Sequence, residues 1–342
     1  MENQKENTAE KPAGASRKEH PRLAAALISV GCVIAALGMF LLIWYWGDKY
    51  PDFDRRFTEE AAIPGLDEGL VPQGIANYGD AMFVSGYMNE GGPSRIYYLD
   101  DGEEVGYVTL ELADGSDYTG HACGIATNGS RFWVVSEGTV YMVNYADVTT
   151  AAATSGSVKV NYTWNPHNNA DFCYFDGTFF YVGEFYRAGN YETDEEHRFT
   201  TPAGDENRAV IYRYGTGNYS GDEATPSRAY SITGEIQGMA ICNDGERFVL
   251  SQSWGLKNSH LLVYQPDTDG YTYDAFKVNG SSIRTYYLDS STLVDDYELP
   301  AMSEGLCNTG DKVYVLFESG SRKYGAFVRE SLKNVYSFRL RR

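Results

Sequence analysis

The sequence predicts an all-β fold, a five-bladed β-propeller. A short motif in which a glycine precedes a small apolar step recurs along the chain, as PQGIA at 72–76, HACGIA at 121–126, IQGMA at 236–240 and SEGLC at 303–307, with a degenerate copy, ADFCYFDG, at 170–177. Each copy is followed by a turn glycine and a short aromatic and β-branched run, such as AMFVSGY or KVYVLFES. Strand–turn–strand units that recur roughly every 50 to 65 residues are typical of β-propellers. A six-bladed propeller is the alternative, and it would need a further repeat within the insertions.

The last predicted blade lacks an outer strand. A propeller blade has four strands, whereas the repeat at 303–341 offers only SEGLC, KVYVLFES and NVYSFRLR. We expect the segment 56–63, RFTEEAAI, to pair with the outer edge of this blade, because an unpaired sheet edge would otherwise be exposed. Polar insertions are predicted near 187–207 in the third blade and near 265–282 in the fourth.

An uncharged segment, 23–46, precedes the repeats. As a helix it would be about 36 Å long, which is enough to cross a bilayer, and we predict a transmembrane signal-anchor. A cleavable signal peptide is the alternative, but Trp44 and Tyr45 stand where small residues would be expected at a cleavage site. The predicted organisation is a disordered cytoplasmic tail (1–22), the anchor (23–46), a stalk (47–56) and an extracytoplasmic propeller (57–342), in a single-pass protein of the cell membrane.

The chain is acidic, with 47 Asp and Glu against 28 Lys and Arg and a formal net charge of −19. This charge argues against nucleic acid as a partner. The motifs of P-loop nucleotide hydrolases, α/β-type serine hydrolases and zinc proteases are absent. Four cysteines fall in predicted inner strands, where buried free thiols or the bridges Cys123–Cys173 or Cys242–Cys307 are alternatives.

The antiparallel strand order predicts which residues share one end of the channel. The residues that open the innermost strands lie there, together with the loops between the second and third strands of each blade. Channel mouths are common ligand sites. The predicted top channel mouth contains Gln73, His121, Asp171, Glu184, Tyr186, Gln237, Trp254, Glu304, Glu318 and Arg322.

Two kinds of chemistry fit these residues. The imidazole and carboxylate groups of His121, Asp171 and Glu304 suit a divalent cation such as Ca²⁺ or Mg²⁺, and they could also act as general acid and base. Aromatic faces beside charged hydrogen-bonding groups, as at Trp254 and Tyr186, suit sugars or other small polar ligands. The alternative is that these polar residues cap strands and bind channel water. No catalytic residue is singled out.

The segments QGIA…FVSG, HACGIATNG…FWVV and SEGLCNTG…VYVLFES resemble repeats of bacterial extracytoplasmic β-propeller proteins, namely the YVTN, NHL, gluconolactonase-like (SMP-30) and virginiamycin B lyase groups. The resemblance covers about 60–341 and implies a fold rather than an activity. In the enzymatic members a cation at the channel mouth does the chemistry, and the resemblance would place it on Glu304, His121, Asp171 and Asn168. The chain departs from that pattern at Gln73 and Gln237, where a cation site would prefer carboxylates.

We therefore predict a membrane-anchored extracytoplasmic propeller that binds a glycan, an envelope component or a protein partner at the top channel mouth. The competing prediction is a divalent-cation-dependent hydrolase or lyase, either lactonase-like or similar to virginiamycin B lyase. A structural subunit of a membrane complex is a third. Several ligands converging on one point of the mouth would favour the enzyme, and an aromatic groove would favour binding.

Overall fold

The computed structural model describes residues 21–46, 50–242 and 245–340. Residues 1–49 and residues 50–342 form two separate compact units. In the first unit, helix α1 spans Pro21–Trp46 and includes the predicted anchor. Among the residues that the structure describes, no helix is long and apolar enough to cross a membrane, so the transmembrane prediction is not supported. Most of the predicted tail (1–20) and the start of the predicted stalk (47–49) lie outside the described residues.

The second unit begins within the segment that the sequence predicts as a stalk. Helix α2 (Pro51–Arg56) is followed by strand β1 (Thr58–Ala62). The side chains of Tyr50 and Phe53 are each 5% exposed and belong to an apolar cluster with Phe317 and Tyr336. The rings of Phe53 and Tyr336 lie 4.9 Å apart between centroids. The packed domain therefore starts at Tyr50, because these aromatic side chains complete its core.

Four blades are built from strands that follow one another outward as an antiparallel meander. The first contains β2 (Leu70–Tyr78), β3 (Ala81–Met88), β4 (Arg95–Asp100) and β5 (Glu103–Glu111). The second contains β6 (Gly124–Thr127), β7 (Arg131–Ser136), β8 (Thr139–Asn144) and β10 (Tyr162–Trp164). Between β8 and β10, helix α3 (Tyr145–Ala152) leads into β9 (Ser157–Lys159), which pairs in parallel with β5 of the first blade.

The third and fourth blades carry the two predicted insertions. The third contains β11 (Phe172–Phe175), β12 (Phe180–Gly183), β15 (Ala209–Tyr214) and β16 (Arg228–Ile232), and its insertion holds the short hairpin of β13 (Phe199–Thr200) and β14 (Glu206–Asn207). The fourth contains β17 (Ile236–Cys242), β18 (Arg247–Gln252), β19 (Ser259–Tyr264) and β22 (Leu293–Leu299). Its insertion forms β20 (Thr272–Val278) and β21 (Ser281–Tyr287), which extend the third blade because β21 pairs in parallel with β16.

The remaining large sheet is a composite of both ends of the domain. It contains β23 (Ser303–Thr309), β24 (Lys312–Phe317) and β25 (Asn334–Arg339), and β1 completes it by pairing antiparallel with β25. The predicted pairing of segment 56–63 with this edge is confirmed. The predicted count of five blades is corrected to four blades, each continuous in sequence, and one composite sheet. The insertions add strands to existing sheets, and the described residues form no further blade of the six-bladed alternative.

The inner strands approach one another so closely that the repeated glycines are required. Strands β2, β6, β11, β17 and β23 contact one another in this order and close at β2. A Cβ atom on Gly238 would lie 2.8 Å from the Cα of Gly305, and one on Gly305 would lie 2.9 Å from the carbonyl oxygen of Gln73. The third blade has Phe172 at the equivalent position, opposite Gly183 of β12, whose missing side chain leaves room for the phenyl ring.

The core lies between neighbouring sheets. The rings of Phe83 and Phe132 join the first two blades at a centroid distance of 5.0 Å, and those of Tyr230 and Phe248 join the third and fourth at 4.8 Å. Among the described residues all cysteines are free thiols, which excludes the two bridges considered from the sequence. Three of the four are buried and Cys123 is partly exposed.

Candidate functional site

A cavity of about 750 Å³ opens at the end of the channel where the inner strands begin, and we call it the upper mouth. Seven of the ten residues predicted for the top channel mouth line it, namely Gln73, His121, Asp171, Gln237, Trp254, Glu304 and Glu318. Other lining residues of the upper mouth are Tyr87, Cys123, Glu137, Tyr191, Lys323 and Tyr324. The upper mouth therefore combines side chains from all four blades and from the composite sheet.

The residue directly before each repeated glycine, or before Phe172 in the third blade, faces the upper mouth. These residues are Gln73, Cys123, Asp171, Gln237 and Glu304. From the sequence we predict His121 at this position in the second blade, but β6 begins at Gly124, and the residue that precedes this glycine is Cys123. Aligning CGIA with QGIA identifies this cysteine from the sequence alone.

The backbone is irregular where these residues lie. The pairing register shifts between Pro72 and Gly74, between Ile236 and Gly238, and between Ser303 and Leu306. Such bulges re-aim a side chain and are frequent next to functional sites. Four non-glycine residues just before the mouth positions have positive φ angles, namely Ala122, Ala170, Glu235 and Met302. Strained conformations of this kind persist where the surrounding structure enforces them, and they cluster at ligand sites.

Glu304 and Glu318 form a hydrogen-bonded carboxyl pair in the upper mouth. Glu304 is 3% exposed, and Nε2 of Gln73 donates to Oε2 of Glu318 at 3.1 Å. Burial, together with the neighbouring Glu318, raises the pKa of Glu304 well above its ordinary value. Burial raises the pKa of Glu318 to about 7, although Gln73 and Lys323 oppose this. Because two adjacent carboxylates repel each other, the pair holds a proton near neutral pH.

Asp171 is a third carboxyl group with a raised pKa in the upper mouth. Its Oδ2 accepts a hydrogen bond of 2.7 Å from the backbone N–H of Phe185. Burial raises the pKa of Asp171 to about 8, and the carboxylates of Glu184 and Glu137 raise it further. The hydrogen bond from Phe185 acts in the opposite direction and lowers this pKa. Three carboxyl groups of the upper mouth therefore retain protons at a pH where exposed carboxyl groups are ionised.

One cation reaches the upper mouth from the loop between β24 and β25. Nζ of Lys323 donates to the hydroxyl of Tyr87 at 2.6 Å and lies 4.9 Å from the ring centroid of Tyr324. The ring of Tyr87 meets that of His121 edge to face, at a centroid distance of 4.9 Å. The imidazole of His121 is 54% exposed, and its Nδ1 lies 3.8 Å from Oε1 of Glu137, so His121 belongs to the rim.

Aromatic side chains form another wall of the upper mouth. The rings of Phe185, Tyr191 and Trp254 contact one another with centroid distances of 5.5 to 5.8 Å. The guanidinium of Arg187 lies 4.6 Å from the ring centroid of Trp254 and forms an ion pair with Glu235. The arginine thus fixes Trp254, while Tyr191, 53% exposed, widens the aromatic surface.

Three predicted mouth residues lie elsewhere. Glu184 is 1% exposed and its Oε1 lies 2.8 Å from Nδ1 of His197, so it holds the insertion of the third blade against the sheet. Tyr186 does not line the cavity and is covered by the guanidinium of Arg198 at 5.1 Å. Arg322 is exposed outside the cavity wall, whereas its neighbour Lys323 lines it.

The predicted cation site is not assembled. Within the part of the chain that the structure describes, no three His, Cys, Asp or Glu side chains are grouped so that they could hold a metal ion. His121 stands at the rim, whereas Glu304 is paired with Glu318. The proposed trio of His121, Asp171 and Glu304 therefore does not form a ligand set, and binding of Ca²⁺ or Mg²⁺ stays a prediction from sequence.

Comparison with known proteins identifies no family. No family model and no curated protein matches the chain, so membership of the YVTN, NHL or SMP-30 groups has no support. Similar solved structures include U3-55K (TM-score 0.41, 11% identity, 84% of this chain and 99% of that chain) and a luciferin-regenerating enzyme (0.39, 13%, 82% and 94%). Kuenenia stuttgartiensis hydrazine synthase gives a TM-score of 0.32 at 12% identity over 72% of this chain, which spans 55% of that chain. These values are too low to support any conclusion about function, and the propeller-like arrangement rests on the sheet topology.

Proposed function

We propose that the protein binds a neutral, hydroxyl-rich ligand, a sugar unit of a glycan, in the upper mouth. The observation that carries this proposal is that the aromatic wall of Phe185, Tyr191 and Trp254 lies in the same cavity as carboxyl groups that retain their protons. Side-chain amide groups line this cavity as well. A pyranose ring has C–H groups that pack on an aromatic face and hydroxyls at its edge. Ligand sites commonly combine an apolar wall with a few placed polar groups in this way.

The protonation of the carboxyl groups supports a neutral ligand. A protonated carboxylic acid both donates and accepts hydrogen bonds, as a primary amide does, whereas a carboxylate only accepts. The side chains can then either donate a hydrogen bond to a sugar hydroxyl or accept one from it, and this applies to Glu304, Glu318, Gln73 and Gln237. Binding of Ca²⁺ or Mg²⁺ in the upper mouth, as in the alternative cation-dependent hydrolase or lyase, would require these carboxyl groups to release their protons.

Acid–base catalysis at the upper mouth is the second candidate function. The carboxyl pair of Glu304 and Glu318 shares a proton, and such pairs can provide a general acid and a general base. An envelope component or a protein partner that carries the sugar is compatible with either function. The extracytoplasmic location is a separate prediction from sequence, which protease treatment of intact cells would test.

Calorimetric titration of the full chain with neutral disaccharides (cellobiose, maltose, xylobiose and di-N-acetylchitobiose) tests the proposal. We expect at least one to bind with a Kd of about 1 mM or tighter. Trp254→Ala should weaken it at least about tenfold, because it removes the stacking face. Tyr162→Ala removes an aromatic side chain that is 46% exposed outside the upper mouth and should leave binding unchanged. Absence of binding, or equal effects of both substitutions, would contradict the proposal. Slow cleavage of a bound disaccharide that Glu304→Gln abolishes would establish the second candidate.

A further inference from the structure

A second cavity, of about 800 Å³, lies at the opposite end of the channel, and we call it the lower mouth. It is lined by residues at or just beyond the ends of the inner strands, among them Asn77, Thr127, Tyr174, Cys242 and Asn308. Hydrogen bonds between blades close its floor, since the hydroxyl of Tyr174 donates to Oδ1 of Asn308 at 2.5 Å and Nδ2 of Asn77 donates to Oγ1 of Thr309 at 2.9 Å. These polar groups already have partners within the protein.

Two arginines in the wall of the lower mouth stand directly opposite each other. Arg213 of β15 pairs in register with Arg228 of β16, and both side chains are partly buried and line the cavity. Side chains of directly opposed residues share one face of the sheet with Cβ atoms about 5 Å apart, and like charges in this position are destabilising. Repulsion between the two guanidinium groups therefore destabilises the fold, and a bound anion would relieve this repulsion.

The two guanidinium groups are held in place without being neutralised. Nε of Arg213 donates to Oγ of Ser227 at 3.0 Å, and the guanidinium lies 3.8 Å from the ring centroid of Phe179. The guanidinium of Arg228 lies near the hydroxyl of Tyr230 and 5.4 Å from the ring centroid of Tyr286. Among the described residues, neither arginine forms an ion pair with a carboxylate. Each retains N–H donors for a ligand, since guanidinium carries five.

Two acidic residues, Asp176 and Asp311, line the lower mouth, and the carboxylate of Asp176 is engaged in its own turn. Oδ1 of Asp176 accepts the backbone N–H groups of Thr178 at 2.8 Å and Phe179 at 2.7 Å, and Oδ2 accepts the hydroxyl of Tyr181 at 2.8 Å. Its lone pairs are therefore largely used within the protein, although it lines the same cavity as the two arginines. In a chain with a net charge of −19, two adjacent cations without a carboxylate partner are unusual.

We propose that the lower mouth is a binding site for a small oxyanion, of the phosphate or carboxylate class, held between Arg213 and Arg228. Guanidinium groups match such anions because two N–H donors can engage two oxygens in parallel. The flanking rings of Phe179 and Tyr230 give the bound molecule an apolar or aromatic contact surface. The site is separate from the upper mouth, so Trp254→Ala should leave anion binding unchanged.

The test uses inorganic pyrophosphate and citrate as probes, titrated calorimetrically into the full chain at constant ionic strength. We expect one of them to bind with a Kd of about 1 mM or tighter and a stoichiometry of one. Arg213→Gln and Arg228→Gln should each weaken binding at least tenfold. Arg55→Gln is the control, because it removes the same charge from an exposed ion pair with Asp52 on α2.

Thermal unfolding without a ligand supplies a second readout. Arg213→Gln should leave the midpoint unchanged or raise it, because the substitution relieves repulsion with Arg228, whereas a purely structural role would lower it. Pyrophosphate or citrate should raise the unfolding midpoint of the wild type above its midpoint in sodium chloride of equal ionic strength. The midpoint of Arg213→Gln should not respond to either anion in this way. Absence of binding by both probes, or an equal loss in Arg55→Gln, would overturn the proposal.

Discussion

Two neighbouring positions of the repeat obey different rules. The ring position, occupied by Gly74, Gly124, Gly238 and Gly305, is fixed by the approach of backbone atoms, and a Cβ atom on Gly238 would lie 2.8 Å from the Cα of Gly305. The position before it, which faces the upper mouth, holds Gln73, Cys123, Asp171, Gln237 and Glu304. Packing thus keeps the first position uniform, and the second is free to vary. Stability should depend on the ring position, and ligand chemistry on the mouth position.

The largest expected effect comes from the ring position. Gly238→Ala should lower the free energy of unfolding by about 1–3 kcal/mol, because its Cβ atom would press on the backbone of β23, which has no flexible side chain to yield. Gly215→Ala is the matched control, since its Cβ atom would meet only the hydroxyl of Tyr219 at 3.4 Å. The control should be neutral or stabilise by about 0.5 kcal/mol through the unfolded chain. Equal losses in urea denaturation would show that the ring is not tightly packed.

A further effect should appear in the pH dependence of stability. Burial raises the pKa of Glu318 to about 7 and that of Asp171 to about 8, so the folded state keeps protons that the unfolded chain has already lost. The stabilisation that these retained protons provide is fully present below about pH 4, the pKa of both groups in the unfolded chain. It is lost as the pH rises through 7 and 8, the pKa values in the folded state. The free energy of unfolding should therefore fall between about pH 5 and pH 9.

Substitution assigns this pH dependence to the upper mouth. Glu318→Gln should flatten the decline, because the amide cannot ionise. Glu90→Gln, on the exposed turn after β3, should leave it unchanged. A decline of the same size in both variants would mean that Glu318 does not contribute to it.

The ring glycines also explain how much the sequence could predict. Their spacing and the turn glycines that follow are local signals. From these signals one can predict the antiparallel meander of each blade and the pairing of segment 56–63 with the last sheet. The third blade weakened the signal because Phe172 replaces the glycine and Gly183, on the paired strand, makes the room. The insertion after β19 joins the third blade through β16 and β21, a long-range pairing that no local pattern encodes.

The upper mouth was predictable only in part, for a related reason. The repeat predicts which residues begin the inner strands and therefore lie at the upper mouth. The exception is the second blade, where the prediction, His121, is two residues before the observed Cys123. The partner of Gln73, however, is Glu318, 245 positions away, and the two meet only because the ring closes. Protonation of the carboxyl groups follows from that proximity and from burial, neither of which a local sequence pattern encodes.

Titration of wild type and Glu304→Gln with the disaccharide panel, at about pH 6, tests the central claim most directly. Glutamine keeps the shape, one donor and one acceptor of a protonated glutamic acid, so we expect the variant to bind within about threefold of the wild type. The midpoint of thermal unfolding should not fall, because the buried carboxyl pair is relieved. A loss of binding of more than about tenfold, with the fold intact, would show that the upper mouth works with an ionised Glu304 and would contradict the account.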